Sequence, residues 1–253
     1  SRKLRPVLDI CKDTGCELKI LPGIYQLVNG EVNVSKLRPV NIEDLLGREP
    51  VRTNLDEVMQ YISGKVVLVT GGGGSIGSEL CRQIAGFGVR QLVLFDNAET
   101  PMHNLRLELE AKFPGLDFVP VIGDVRLPPR LDYAFRTWKP QVVFHAAAYK
   151  HVPLMEENPC EAVFVNVVGS RNVADKCVEY GVDKMVMIST DKAVNPTNVM
   201  GCTKRLCEML IQSFAKNTDM KCVAVRFGNV LGSHGSVIPL FKKQIAAGGP
   251  VTV

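Results

Sequence analysis

The chain holds eight cysteines in 253 residues but no Cys-x-x-Cys pair. Cys11/Cys16 and Cys202/Cys207 are each five apart, which places them off a common helical face. Cys81, Cys177 and Cys222 sit in apolar periodic segments, where a free thiol behaves as a small hydrophobe. Reduced, structural cysteines of a cytosolic compartment are therefore expected. The histidines, His103, His145, His151 and His234, share neither His-x-x-His nor His-x-x-x-His spacing, so no metal site is expected.

Aromatic residues are few, at 6%, and scattered. After the opening SRKLR no run of lysine and arginine exceeds two residues, and the net charge of +4 comes from interspersed signs. A nucleic-acid surface needs a basic stripe with interleaved aromatics, so a nucleic-acid partner is not expected. No apolar run approaches the roughly 18 residues of a membrane span, and no signal peptide is recognisable. The chain reads as soluble, and as a piece of something longer: it starts among basic residues and stops at GGPVTV, a turn and the start of a strand. A hydrophobic content of 46% is enough for one sizeable core.

From Lys65 onward, short β-branched runs alternate with longer periodic segments. KVVLVT, QLVLFD, DFVPVIGD, QVVFHAAA, KMVMIST and KCVAVRFGNV read as buried strands. The segments beginning SIGSEL, AETPMH, RLDYAF, EAVFVN and NVMGCT read as helices by length and period, with Pro114-Gly115 stopping the second. Such alternation implies a parallel sheet covered on both faces, and a glycine loop after the first strand favours the doubly wound order 3-2-1-4-5-6. The fold class expected is α/β, Rossmann-like. Residues 1–64 read as a linker region with a partial preceding α/β unit: a helix in RPVLDICKDTG, a strand in ELKILPG, an IEDLLG element and a helix LDEVMQYI. Residues 65–253 read as an NAD-binding catalytic domain, C-terminally incomplete.

The loop TGGGGSIG opens at Thr70 and carries glycines at Gly71, Gly74 and Gly77. Without Cβ atoms the backbone can turn tightly and approach a pyrophosphate, and the helix N-terminus attracts its charge. A glycine loop alone is weak; an acid at the right distance strengthens it. Asp96 ends QLVLFD, 19 residues beyond Gly77. A carboxylate there accepts from both adenosine ribose hydroxyls and repels a 2′-phosphate, so NAD is expected over NADP. Asp96 also reads as a helix cap. Asp124, in GDVR, is placed near the adenine or in a turn.

Thr190, Asp191 and Lys192 leave the fifth strand of the sheet at its C-terminal end, where ligands of doubly wound sheets sit. A threonine hydroxyl can bond a substrate hydroxyl, and a partly desolvated Asp-Lys pair can take acid and base roles. Lys204 lies four residues beyond Met200, on the same helical face.

TGGGGSIG, HAAAYKHVPLMEENP, ISTDKAVNPTNVMGCTKR and RFGNVLGSHGSVIPLF together resemble the extended short-chain dehydrogenase/reductase superfamily. Within it, the chain resembles the nucleotide-sugar 4,6-dehydratases of the polysaccharide-biosynthesis type, which act on UDP-N-acetylglucosamine. The superfamily's Tyr-x-x-x-Lys has Met200 at the tyrosine position here, as in the large, membrane-anchored members. Methionine cannot ionise and cannot be the base.

The resemblance implies an internal redox cycle on bound NAD. The sugar's C4 hydroxyl is oxidised, the C5 proton is removed as the C6 hydroxyl leaves as water, and hydride returns to C6. Lys192 is assigned to C5 proton removal, Asp191 to protonating the leaving hydroxyl, Thr190 to polarising the C4 hydroxyl, and Lys204 to the nicotinamide ribose. Candidate cofactor-binding residues are Thr70, Gly71, Gly74, Ser75, Ile76, Gly77, Asp96, Asp124, Val125, Ala146, Ala147 and Lys204. Candidate substrate-binding residues are Lys150, His151, Asn166, Arg226 and Asn229, with an ion pair as the structural alternative for Arg226. Asn166 is expected to bond backbone and hold the active-site strand. Met209 and Trp138 read as core packing. The resemblance further implies a UDP-sugar as partner, a homo-oligomer, and a parent protein on the cytoplasmic face, anchored through segments absent from this chain. A nucleotide-sugar epimerase or dehydrogenase on the same scaffold, and a non-catalytic dinucleotide-sensing module, are the competing readings.

Overall fold

The computed structural model describes residues 10–11, 19–20, 38–39, 55–228, 230 and 237–251. The IEDLLG element, Asn229 and the terminal residues 252–253 lie outside them. The chain divides into two units, Ser1–Asn54 and Leu55–Val253. In the first, strands β1 (Lys19–Ile20) and β2 (Arg38–Pro39) pair antiparallel.

The second unit begins with helix α1 (Leu55–Ile62) and holds a six-stranded sheet. Its strands are β3 (Val66–Thr70), β4 (Gln91–Asp96), β5 (Phe118–Ile122), β6 (Val142–His145), β7 (Lys184–Thr190) and β8 (Lys221–Phe227). The order is β5-β4-β3-β6-β7-β8, every pairing parallel. This is the doubly wound arrangement expected from the alternation of runs. β3 is buried at all five positions, which is why VVLVT lacks polar alternation.

Helices α2 (Ser75–Ala85), α3 (Glu99–Lys112), α4 (Pro128–Trp138), α7 (Gly169–Glu179) and α8 (Val199–Asn217) carry the crossovers. The short helices α5 (Val152–Glu157) and α6 (Pro159–Ala162) precede a π-helical stretch, Val163–Val168, that runs into α7. Helix α9 (Val237–Ala246) follows β8. Two apolar clusters cover the sheet. Phe95, Leu131, Phe135, Met185 and Met187 belong to one, and Leu92, Leu94, Met102 and Leu109 to the other.

Cys81, Cys177 and Cys207 are buried free thiols and Cys222 is a partly buried one. Trp138 packs against the core and meets Tyr133 edge-on at 5.5 Å. Met209, expected in the core, is instead 54% exposed. The buried stripe of α8 runs through Met200, Thr203, Lys204, Cys207, Glu208 and Ile211, so two charged residues hold core positions and Met209 turns outward. Among the described residues no helix is long and apolar enough to cross a membrane.

Candidate active site

The glycine loop joins β3 to α2. Gly71 has a φ of +71°, and a Cβ there would come within 2.5 Å of the Ala147 nitrogen. A Cβ at Gly77 would drive into the Gly71 carbonyl. Both positions therefore exclude a side chain, one through its left-handed backbone and one through helix-to-loop packing. Helix α2 starts from Gly74 with no side-chain cap, and its N-terminus, the positive end of the helix dipole, opens from the glycine loop.

A cleft of about 240 Å³ opens over this loop. Of the expected cofactor residues, Gly71, Gly74, Asp96, Asp124, Val125, Ala146 and Ala147 line it. Thr70, Ser75, Ile76, Gly77 and Lys204 are not on its wall. Gly73, Asn97, Tyr149 and Val165 also line it and were not singled out from the sequence. Asp96 accepts from the Gly73 amide (2.9 Å) through one oxygen and from the Ala98 amide (2.8 Å) through the other. It is thus both a turn cap and a carboxylate fixed at the cleft wall. Asp124 accepts from the Arg126 guanidinium (2.7 Å at the shortest) and from the Arg126 amide (2.8 Å). Those bonds hold its carboxyl below the usual range. Arg126 reaches on to Glu161 of α6 at 2.9 Å. These features fit a dinucleotide: bare backbone for the pyrophosphate, a fixed carboxylate for ribose and apolar walls.

Behind the cleft lies a buried polar chain. Thr70 Oγ1 sits 2.7 Å from His145 Nδ1, and His145 Nε2 sits 2.8 Å from Ser170 Oγ. Ser170 donates to the Asn166 carbonyl at 2.5 Å. Asn166 in turn accepts from the Tyr149 amide (2.8 Å) and donates to Thr203 of α8 (2.9 Å). From the π-helical stretch, its side chain bonds the backbone of the segment after β6, at Tyr149, whereas the expectation had it holding the active-site strand β7. Lys150 and His151 follow Tyr149 and are exposed.

At the end of β7, Thr190 donates to Asp191 Oδ1 at 3.0 Å, and the Lys192 ammonium donates to the same oxygen at 3.2 Å. The Lys192 bond, then the Thr190 bond, holds the Asp191 carboxyl below its usual range. The three residues expected to act together are one hydrogen-bonded group. Gly201 of α8 presses on this turn so closely that a Cβ would run into the Lys192 carbonyl.

Met200 is 2% exposed and packs with Met155 and Ala162, an apolar setting with no polar chemistry. Lys204 is also buried; its ammonium donates to the Ile188 carbonyl at 2.9 Å, the single acceptor it has among the described residues. Two of its N–H groups remain for a ligand. Arg226 makes the ion pair that was its structural alternative: its Nε and Nη2 donate to the two oxygens of Glu208, at 2.7 and 2.6 Å. Among the described residues no cluster of His, Cys, Asp and Glu could hold a metal ion.

Residues 67–253 match the family model described as polysaccharide biosynthesis protein. The chain belongs to this family. It is 50% identical to the capsular polysaccharide biosynthesis protein CapD of Staphylococcus aureus, over all of this chain and 42% of that protein. It is 39% identical over 197 residues to the UDP-N-acetylglucosamine 4,6-dehydratase (inverting) of Campylobacter jejuni strain 81-176, covering 75% of this chain and 57% of the relative. The chain thus spans about half the length of such relatives or less. Among solved structures, Pen from Bacillus thuringiensis superposes with a TM-score of 0.71 at 36% identity, covering 76% of this chain and 61% of Pen. The UDP-glucose 4-epimerase of Thermus thermophilus, in complex with NAD, superposes with a TM-score of 0.64 at 27% identity, covering 74% of this chain and 65% of that one. The family member described here accordingly has the extended short-chain dehydrogenase/reductase fold, and its relatives are nucleotide-sugar dehydratases and epimerases.

Proposed function

We propose that the protein is a NAD-dependent 4,6-dehydratase acting on a UDP-sugar, UDP-N-acetylglucosamine in the first instance, in polysaccharide or glycan biosynthesis. The observation that carries this reading is the Thr190–Asp191–Lys192 group at the end of β7. An exchange of hydride at C4 needs no carboxylate–ammonium pair, whereas elimination of water across C5 and C6 needs both a base and an acid.

Gly71, Gly74 and the α2 N-terminus would hold the pyrophosphate, Asp96 the adenosine ribose, Asp124 and Val125 the adenine, and Lys204 the nicotinamide ribose. When bound, the dinucleotide supplies the hydride acceptor for C4 and the hydride donor for C6. Thr190 bonds the C4 hydroxyl and starts its proton path. At rest the pair is an Asp191 carboxylate and a Lys192 ammonium, the reverse of what elimination needs. A bound sugar that strips water from the pair favours its neutral form, because desolvation penalises both charges. The proton then moves from Lys192 Nζ to Asp191 Oδ1 across their 3.2 Å hydrogen bond. Lys192 is left as the amine that takes the C5 proton, and Asp191 as the acid that releases the C6 hydroxyl as water.

The test incubates the natural protein with UDP-N-acetylglucosamine and catalytic NAD⁺, reading base-induced absorbance of a 4-keto product and product mass. Loss of one water without accumulation of reduced cofactor supports the dehydratase. An unchanged mass with inversion at C4 assigns the protein to the epimerases instead.

A further inference from the structure

Glu208 takes no part in the chemistry just described, yet it is 2% exposed and gathers donors from three elements. Ser189 Oγ of β7 donates to it at 2.7 Å, Arg226 of β8 through two nitrogens at 2.7 and 2.6 Å, and Arg205 of α8 at 3.3 Å. Ser189 immediately precedes Thr190. One turn earlier on the same buried stripe of α8, Lys204 donates to the carbonyl of Ile188, the residue before Ser189. Two successive residues of β7 are therefore clamped by two successive turns of α8, one through a cation and one through an anion.

We propose that Glu208 is a positioning residue whose hydrogen bonds fix the strand end carrying Thr190 and whose charge supports the Lys204 ammonium. The inference rests on the dehydratase reading for the role of Thr190 and Lys204; the clamp itself does not. The titratable and charged groups around Lys204 are His145 from β6 and Cys207 and Glu208 from α8, with Arg205 of α8 and Arg226 of β8 bonded to Glu208. His145 is neutral, since burial pulls its ring down to about 3. Burial likewise pulls the Lys204 ammonium below the usual lysine range, a pull that a Cys207 thiolate or the Glu208 carboxylate would oppose. Cys207 is itself held as a thiol by burial and carries no charge. Glu208 is the opposite case: its bonds to Arg226, then Ser189, bring its carboxyl down to about 2, so it stays ionised. It is the group left to balance Lys204 in a site where water cannot.

The electrostatic part has a signature that simple scaffolding lacks. Glu208→Gln removes a negative charge and leaves Arg226 uncompensated, so the Lys204 titration midpoint falls, by about one pH unit. Arg226→Met removes a positive charge and leaves Glu208 free to act on Lys204, so the midpoint rises. The measurement is a ¹³Cε-lysine NMR titration, with the Lys204 signal assigned by its loss in Lys204→Met. Opposite shifts in the two variants, with the alkaline limb of kcat moving in parallel, support the proposal. Shifts of the same sign, or none, overturn it. If Glu208→Gln does not fold, the rise or absence of a rise in Arg226→Met decides. The NMR readout needs no turnover, so an epimerase outcome in the activity assay leaves this test standing.

Discussion

Thr70 Oγ1 lies 2.7 Å from His145 Nδ1, with both side chains fully buried. The hydrogens can be assigned by following the chain of bonds. Ser170 spends its one hydroxyl hydrogen on the Asn166 carbonyl, so it accepts from His145 Nε2–H. His145 Nδ1 is then the acceptor, and Thr70 donates to it. A neutral imidazole in one tautomer links the residue that opens the glycine loop to Ser170 at the start of α7.

That assignment predicts a pH dependence of stability. Burial brings the folded His145 to about 3, below its usual 6.5. The unfolded chain therefore binds more protons between those values. The stabilisation is fully present above pH 6.5 and is lost as pH falls through the window toward 3. Between pH 6.5 and 5 carboxylates stay mostly ionised in both states, so His145 dominates the slope there, which steepens from about 0.7 toward a limit of about 1.4 kcal/mol per pH unit as the pH falls. Urea unfolding across that range measures it, and His145→Gln should flatten the curve. An unaltered slope in the variant would show that His145 is not the linked group.

Much of this fold could be read from the strands, because VVLVT and QLVLFD are buried on both faces and have no polar alternation to confuse with a helix. The cleft wall was legible for a similar reason: Gly71, Gly74 and Asp96 act through the local backbone of one continuous β3-α2-β4 unit. What stayed hidden depends on pairs far apart in the chain. His145 meets Thr70 across 75 residues, and Glu208 meets Arg226 across 18. Gly201 looks like an ordinary helical glycine until the Lys192 carbonyl is found against it. Met209 was misplaced because the periodicity of α8 was read from its apolar residues, while Lys204 and Glu208 occupy the buried stripe. The π-helical stretch around Asn166 has no apolar period of its own to announce it.

The two crowded glycines of the loop should respond differently from an open one. Gly77→Ala forces a methyl group into the Gly71 carbonyl and displaces the loop. Dinucleotide affinity should drop at least about tenfold, near 1.4 kcal/mol. Gly115→Ala meets nothing within 4 Å at an ordinary φ and should bind as the unaltered protein does. Titration calorimetry with NAD⁺ distinguishes them, and equal affinities would remove the loop from the binding site.

Asp191→Asn separates chemistry from architecture. The side chain is 55% exposed and, among the described residues, bonded within its own turn, so stability should change by less than about 0.5 kcal/mol. Dehydration should slow by about 10²- to 10⁴-fold, the range for loss of a general acid or base. NAD⁺ affinity should not move. A variant with full turnover would strip Asp191 of the acid role and leave the Thr190 group without its elimination function.

Asp96 tests the choice of cofactor. Both its oxygens already accept backbone amides, from Gly73 and Ala98, which fixes the carboxylate in place and leaves lone pairs directed at the cleft. A 2′-phosphate brought there would meet a charge that cannot swing away, while ribose hydroxyls would find an acceptor already oriented. Asp96→Asn removes the charge but keeps the size and one acceptor oxygen. The expected result is weaker NAD⁺ binding, by about tenfold, together with a gain for NADP⁺ relative to NAD⁺. Binding constants for both cofactors must be compared, because a loop that had merely loosened would lose both in proportion. A constant ratio would mean that the carboxylate serves only the turn, and that selection against the 2′-phosphate is made elsewhere on the cleft wall, with Asn97 the nearest candidate.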